Sequence, residues 1–233
     1  MNSGKFDTFH MMLSLFYKEW LKIRYVYLFC AAVLFAYTAF SLYGVHRVID
    51  FRGADHVWSV LLENKGVLVD RMKFLPLLAG LLVGMAQFVP ELVQKRLKLT
   101  LHLPMPHTGT VFMMEGMTVV LLLLLFALQA AAEVFYFASV MPREFVDGIM
   151  LTSLPWYASG IIVYLCTAWI CMEPTWKFRI VQLLFSVALC RILFISSLPM
   201  AYDRMIVWII VAVAVMFPAS VVSVDRFVKG CQD

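Results

Sequence analysis

Charge is scarce in this sequence. Asp, Glu, Lys and Arg make up 15% of the 233 residues, while 63% are hydrophobic. A soluble domain averages about a quarter charged, so the composition excludes an ordinary water-exposed fold and indicates a membrane chain. The net charge of +4 is too small, and too little gathered into a tail, to point to nucleic acid. The five cysteines (Cys30, Cys166, Cys171, Cys190, Cys231) form no CxxC pair and are odd in number. Neither a disulfide framework nor a zinc site follows, and buried thiols are expected. The five histidines (His10, His46, His56, His102, His107) include no HExxH, and none lies well inside an apolar run, which argues against an intramembrane zinc protease and haem ligation. No helix carries the row of aspartates that a phospholipid synthase of the alcohol-transferase kind needs. A GxxxxGK[ST] loop is missing too, so the chain has no P-loop cradle for ATP. With these groups lacking, the chain reads as a non-enzyme, with no catalytic, cofactor-binding or metal residue assigned.

What is present is a series of long apolar runs. A bilayer core needs about 20 mainly apolar residues per helix, and six runs qualify, at about 25–45, 74–90, 111–140, 154–171, 178–198 and 205–224. They do not alternate as barrel strands would. The expected fold is an all-α polytopic bundle of six transmembrane helices in one domain, 1–233, with every connection too short for a second core. The first run follows a charged, aromatic segment rather than a short basic one, so the first span is expected to be retained. With the N-terminus inside, inner segments hold eleven of the nineteen Lys and Arg and outer segments seven, Arg191 lying within a span. That excess predicts both termini in the cytoplasm. It leaves 46–73 as the one sizeable outer loop, with a short helix expected around HVWSVLLENKGVL.

Residues 6–24, FDTFHMMLSLFYKEWLKIR, have helical periodicity: Phe9, Met12, Leu13, Phe16, Trp20 and Ile23 share one face, with Ser14, Lys18 and Lys22 opposite. An aromatic face backed by cations suits a helix lying in the headgroup plane against membrane lipid. The alternative is that this face packs on the bundle.

The segment PELVQKRLKLTLHLPMPHTG (90–109) is too polar to cross a bilayer. Pro90 is expected to end the second span and open a new turn. Glu91 would then sit near that turn's positive end, four residues before Lys95. Lys95, Arg96 and Lys98 form a basic cluster, and leucines alternate with Lys98, Thr100 and His102. Those leucines need cover, from protein or from the bilayer surface.

KEWLKIRY before the first span, with PELVQKRLKLTLHLPMPHTGTV between the second and third, resembles the permease subunits of ABC-2-type ABC transporters. The resemblance covers the first half of the chain by motif and the second half by span count. SLPMAYDRM leaves almost no room for the re-entrant hairpin that many relatives carry between their last two spans. The resemblance implies a permease of an ATP-driven exporter in a bacterial inner membrane. ATP and Mg would be held by a separate cytoplasmic ABC ATPase. The permease would work as a homodimer or as a heterodimer with a related permease. It also implies ATPase docking through the N-terminal helix and the following segment, hence through Lys18, Glu19, Glu91, Lys95, Arg96, Lys98 and His102. A non-transporting membrane scaffold, such as an assembly or immunity protein, is the alternative from another class.

Within the spans, Glu133 and Arg191 stand out, since charges in a bilayer face protein or a watery path. They lie about 24 and 20 Å from the cytoplasmic ends of their spans, at depths that allow them to meet in the outer half, either as a structural ion pair or as part of a translocation path. Gln129 lies one turn below Glu133. Gln87 and Gln182 are isolated amides suited to bonding neighbouring helices, and Pro199 and Pro218 are expected to end or kink helices.

Overall fold

A computed structural model describes residues 3–52, 72–93, 107–196 and 200–229, with side chains from residue 12 onward in the first helix. Every regular element among the described residues is helical: α1 Ser3–Arg52, α2 Leu75–Val93, α3 His107–Val140, α4 Arg143–Met172, α5 Trp176–Leu193, α6 Ile206–Met216 and α7 Ala219–Val228, with a single 3₁₀ turn at Asp203–Met205. Five stretches are long and apolar enough to cross a membrane: Met12–Phe51, Leu75–Leu92, His107–Val140, Arg143–Met172 and Asp203–Arg226. The sixth, α5, has 18 residues but carries Lys177, Arg179 and Arg191. Large apolar side chains such as Leu28, Phe29 and Phe40 on α1, Leu184 and Val187 on α5, and Val207 and Trp208 on α6 are exposed. That outward hydrophobicity fits a protein whose solvent is lipid.

Several boundaries differ from the sequence expectation, each for a local reason. Residues 6–24 and the first span form one helix, because no Gly or Pro lies between Lys5 and Tyr43. The face of α1 against the bundle is Leu15, Glu19, Ile23, Cys30, Leu34 and Thr38. Of the expected apolar stripe, Met12, Leu13 and Phe16 point outward and Ile23 alone is buried. Pro90 does not open a new turn; it lies inside α2, which continues to Val93. So close to the end, Pro90 forfeits one backbone bond, and Glu91 is held from α1. The fourth helix starts at Arg143, eleven residues before the apolar run, because Pro142 presets its φ for a helix start and Val146 packs with Phe137, Met141 and Trp156. Pro218 falls between α6 and α7, the expected break. The helix expected around 56–68 and Pro199 lie outside the described residues.

The bundle is organised around α4, which packs against α2, α3, α5, α6 and α7. Every residue from Ser159 to Ala168 is buried, as expected for a stretch apolar on all sides. Its closest neighbour is α2, and the two backbones meet at glycine. A Cβ on Gly80 would lie 1.9 Å from the Gly160 carbonyl oxygen, and one on Gly160 2.5 Å from that of Pro76. One turn on, Gly84 faces Thr167 and Tyr164. Gly80-x-x-x-Gly84 is the small-residue spacing that lets membrane helices approach closely.

This contact predicts unequal tolerance along one helix. Gly80→Val must push two backbones apart and is expected to cost about 1–3 kcal/mol or more. Gly84→Ala meets a Thr167 side chain at 3.0 Å, which can shift, and should cost less. Thermal unfolding of both variants in detergent checks this; equal losses would mean that the crossing is not the tight point.

Candidate functional site

The crossing carries Gln87, two turns below Gly80, to the level of Tyr164, one turn below Gly160. Gln87 is fully buried and uses its whole amide. Its nitrogen donates to Glu19 Oε2 (3.1 Å) and to the Met114 carbonyl (3.0 Å). Its oxygen accepts from Thr118 (2.9 Å) and Tyr164 (2.8 Å). One amide thus joins α1, α2, α3 and α4. Glu19 also accepts from Lys22 Nζ at 2.7 Å, and the same ammonium is bonded to Glu91 Oε1 at the end of α2. Lys18 stands 3.7 Å from that Glu91 oxygen. Glu19 and Glu91 are buried, Lys22 is 11% exposed and Lys18 39%. Two carboxylates and two ammonium groups balance in charge, as burial at this depth requires.

A second polar cluster closes the same end. Glu173, in the turn between α4 and α5, accepts from Ser223 (2.6 Å) and Gln182 (2.9 Å) through Oε2 and from Thr175 (2.9 Å) through Oε1. Arg226 lies 3.5 Å from Oε1, and the Arg179 Nε–H donates to the Glu173 carbonyl at 2.7 Å. These contacts fasten α7 to the α4–α5 turn. Burial pushes the Glu173 carboxyl upward, but the bonds from Ser223, Thr175 and Gln182 and the Arg226 charge outweigh it, so it sits below the ordinary value of 4.5.

A third cluster lies fifteen residues further along α3, about 22 Å away at 1.5 Å per residue. Glu133 is buried and accepts from the Tyr157 hydroxyl (2.9 Å) and Gln129 Nε2 (3.4 Å). Arg191 does not join it. Arg191 is an exposed residue near the end of α5, and α4 separates the two helices, packing against both. The expected Glu133–Arg191 pair is therefore replaced by neutral partners from α3 and α4.

Of the residues expected to dock an ATPase, Lys18, Glu19 and Glu91 are brought together, while Lys95, Arg96, Lys98 and His102 lie outside the described residues. Glu19 and Glu91 spend their side chains inside the chain, so they hold α1 to α2 rather than offering carboxylates to a partner. Thr118, Tyr164 and Glu173 were not singled out from the sequence, and Lys22 only as a cation on the polar face of residues 6–24. For Glu173 the signal was present: an acidic residue at a span end, with Gln182 and Ser223 in the following apolar runs. Among the described residues, no group of three or more His, Cys, Asp or Glu could hold a metal ion. No protein-family model, curated protein or solved structure matches the chain.

Two predictions follow from this geometry. Lys22→Met strands two buried carboxylates and should destabilise the chain by up to about 3–5 kcal/mol. Adding Glu91→Gln should recover part of that loss, and a double-mutant cycle on unfolding reads the coupling. The second concerns pH. Because the folded Glu173 carboxyl is depressed, its stabilisation is complete above the ordinary carboxylate value and lost as pH falls through its lower folded value. Glu173→Gln should flatten that part of the acid-unfolding profile; an unchanged profile would assign it to other carboxylates.

Proposed function

We propose that this chain is the membrane-spanning permease subunit of an ATP-driven exporter of the ABC-2 type, moving substrate in response to a separate cytoplasmic ATPase. The observation that carries the reading is the inner polar cluster. Lys22 and Glu19 tie the inner part of α1 to Glu91 and Gln87 at the end of α2. The basic segment with Lys95, Arg96, Lys98 and His102 follows directly in the chain. In this reading α1 and that segment form one mechanical input, with Lys18 at its surface and the Glu19–Lys22–Glu91 cluster keeping it stiff. Force applied there reaches α3 and α4 through Gln87, Thr118 and Tyr164.

The same reading puts the chain in a bacterial cell membrane as a multi-pass protein, both termini in the cytoplasm. It pairs with a second copy or a related permease, and ATP and Mg remain on the ATPase. Glu133, with Gln129 and Tyr157, offers a polar point in the outer half beside the route a substrate would take.

Docking is tested by co-expressing the tagged chain with the ABC-type ATPase encoded nearest to it, purifying in detergent, and measuring co-purification and ATP turnover. The variant Lys95→Glu/Arg96→Glu/Lys98→Glu leaves the buried cluster intact, so its unfolding midpoint should match the wild type while ATPase retention falls at least about tenfold, some 1.4 kcal/mol of binding. Absence of any ATPase from the wild-type preparation, or undiminished retention by the variant, favours the non-transporting scaffold instead.

A further inference from the structure

We infer that Glu115 on α3 and Ser220 on α7 form a binding site for one small monovalent cation, a proton or an alkali ion. Glu115 is fully buried, and neither of its carboxylate oxygens has a hydrogen-bond partner. The Ser220 hydroxyl, buried on the facing helix, comes close to that carboxylate without a bond of normal geometry and has no other partner. Two unsatisfied polar groups share one enclosed contact, and both are oxygens that attract positive charge.

The surrounding groups cannot supply that charge. On α3, the Met114 carbonyl and the Thr118 hydroxyl are committed to Gln87. On α4, Tyr164 is the titratable neighbour, and its hydroxyl donates to Gln87. On α1, Glu19 is paired with Lys22, whose ammonium is shared with Glu91. On α7, Arg226 is directed to Glu173, and Asp225 is exposed. A buried carboxylate left without counter-charge costs several kcal/mol, and an unbonded hydroxyl adds to that. One small cation between the two relieves both: a proton lets Glu115 donate to Ser220, and an alkali ion takes oxygen from each. A divalent ion is disfavoured, since among the described residues Glu115 belongs to no group of three or more His, Cys, Asp or Glu able to hold a metal ion.

The position gives such a cation something to control. Phe112 stacks on Phe217 (centroids 5.3 Å apart), and Gly116 lies against the same ring, so the contact is closed on both sides of Glu115 in sequence. From one turn further on, α7 is fastened separately, through Ser223 and Arg226 to Glu173. Occupancy at Glu115 would then set whether α7 stays seated on α3. This inference does not depend on the ATP-driven reading, and its test needs no ATPase.

The purified chain in detergent is unfolded thermally in sodium, potassium or N-methylglucamine chloride at equal ionic strength, and separately over a pH series. For an alkali ion, the wild-type midpoint should rise by about 3 °C or more in sodium or potassium over N-methylglucamine. For a proton, it should rise by a similar amount on acidification whatever the salt. Glu115→Gln should abolish whichever response occurs and melt no lower than the cation-free wild type. Ser220→Ala, which keeps the carboxylate, should move the response to higher cation activity. A wild-type midpoint indifferent to both series, or a response retained in Glu115→Gln, overturns the site.

Discussion

The close approach of α2 and α4 at Gly80 and Gly160 is the constraint on which the polar interior depends. A bilayer offers little hydrophobic drive for helices to associate, so close van der Waals contact and buried hydrogen bonds must do it. With a Cβ at either glycine the backbones would stand further apart, and Gln87 and Tyr164 would lose the separation that lets them bond. The two helices run in the same direction, so register fixed at the crossing persists to Gln87 and Tyr164. A steric fact about two glycines thereby decides where an amide can connect four helices.

The polar groups fall at distinct levels along the bundle. Where α1 meets the end of α2, charge is balanced among Glu19, Glu91, Lys18 and Lys22, and the amide of Gln87 is used completely. Near it, Glu173 gathers four side-chain partners. Between these clusters and Glu133 lies a layer of Leu122, Leu125, Phe126, Ile161 and Ile162, all buried and apolar. Hydrogen bonds resist sliding because they have defined partners, whereas apolar side chains can repack at small cost. The end that carries these clusters is thus held by bonds with defined partners, and within the apolar layer α2 and α4 are held by the Gly80–Gly160 contact. Glu115 is the exception at the pinned end, a carboxylate with no bond of its own.

Much of the architecture was legible in the sequence, because apolar runs of bilayer length are a strong signal. Span positions for α2, α3 and the last helical pair follow it, as does the break at Pro218. Boundaries set by local packing did not. The start of α4 at Arg143 depends on Val146 meeting Phe137 and Trp156, a tertiary contact that hydropathy cannot register. The face of α1 against the bundle was not read from the sequence for a related reason: Glu19 is buried and Phe16 exposed, which inverts the usual rule when the solvent is lipid and the partner helix presents an amide. The Gly80-x-x-x-Gly84 spacing was readable, but its partner Gly160, eighty residues away, was not. Pairing Glu133 with Arg191 by depth failed because depth alone does not say which helices touch, and α4 lies between α3 and α5.

That central position of α4 bears on how a movement at the end with the Glu19–Lys22–Glu91 cluster could travel. Helix α1 is bonded to α4 through Gln87, whereas α7 is bonded to it through Glu173 in the turn that ends α4. The two clamps hold different sides of one helix. Moving the part of α1 around Glu19 relative to α7 therefore requires α4 to tilt, or one of the clamps to open. Tilting is opposed where Gly80 and Gly160 are already in backbone contact, so that crossing acts as the fulcrum. Opening is easiest where a clamp is incomplete, and of the contacts α7 makes, the one to Glu115 is unsatisfied while the one to Glu173 is fully bonded. A rearrangement of this bundle would begin by α7 leaving α3 at Glu115 while remaining tied to Glu173.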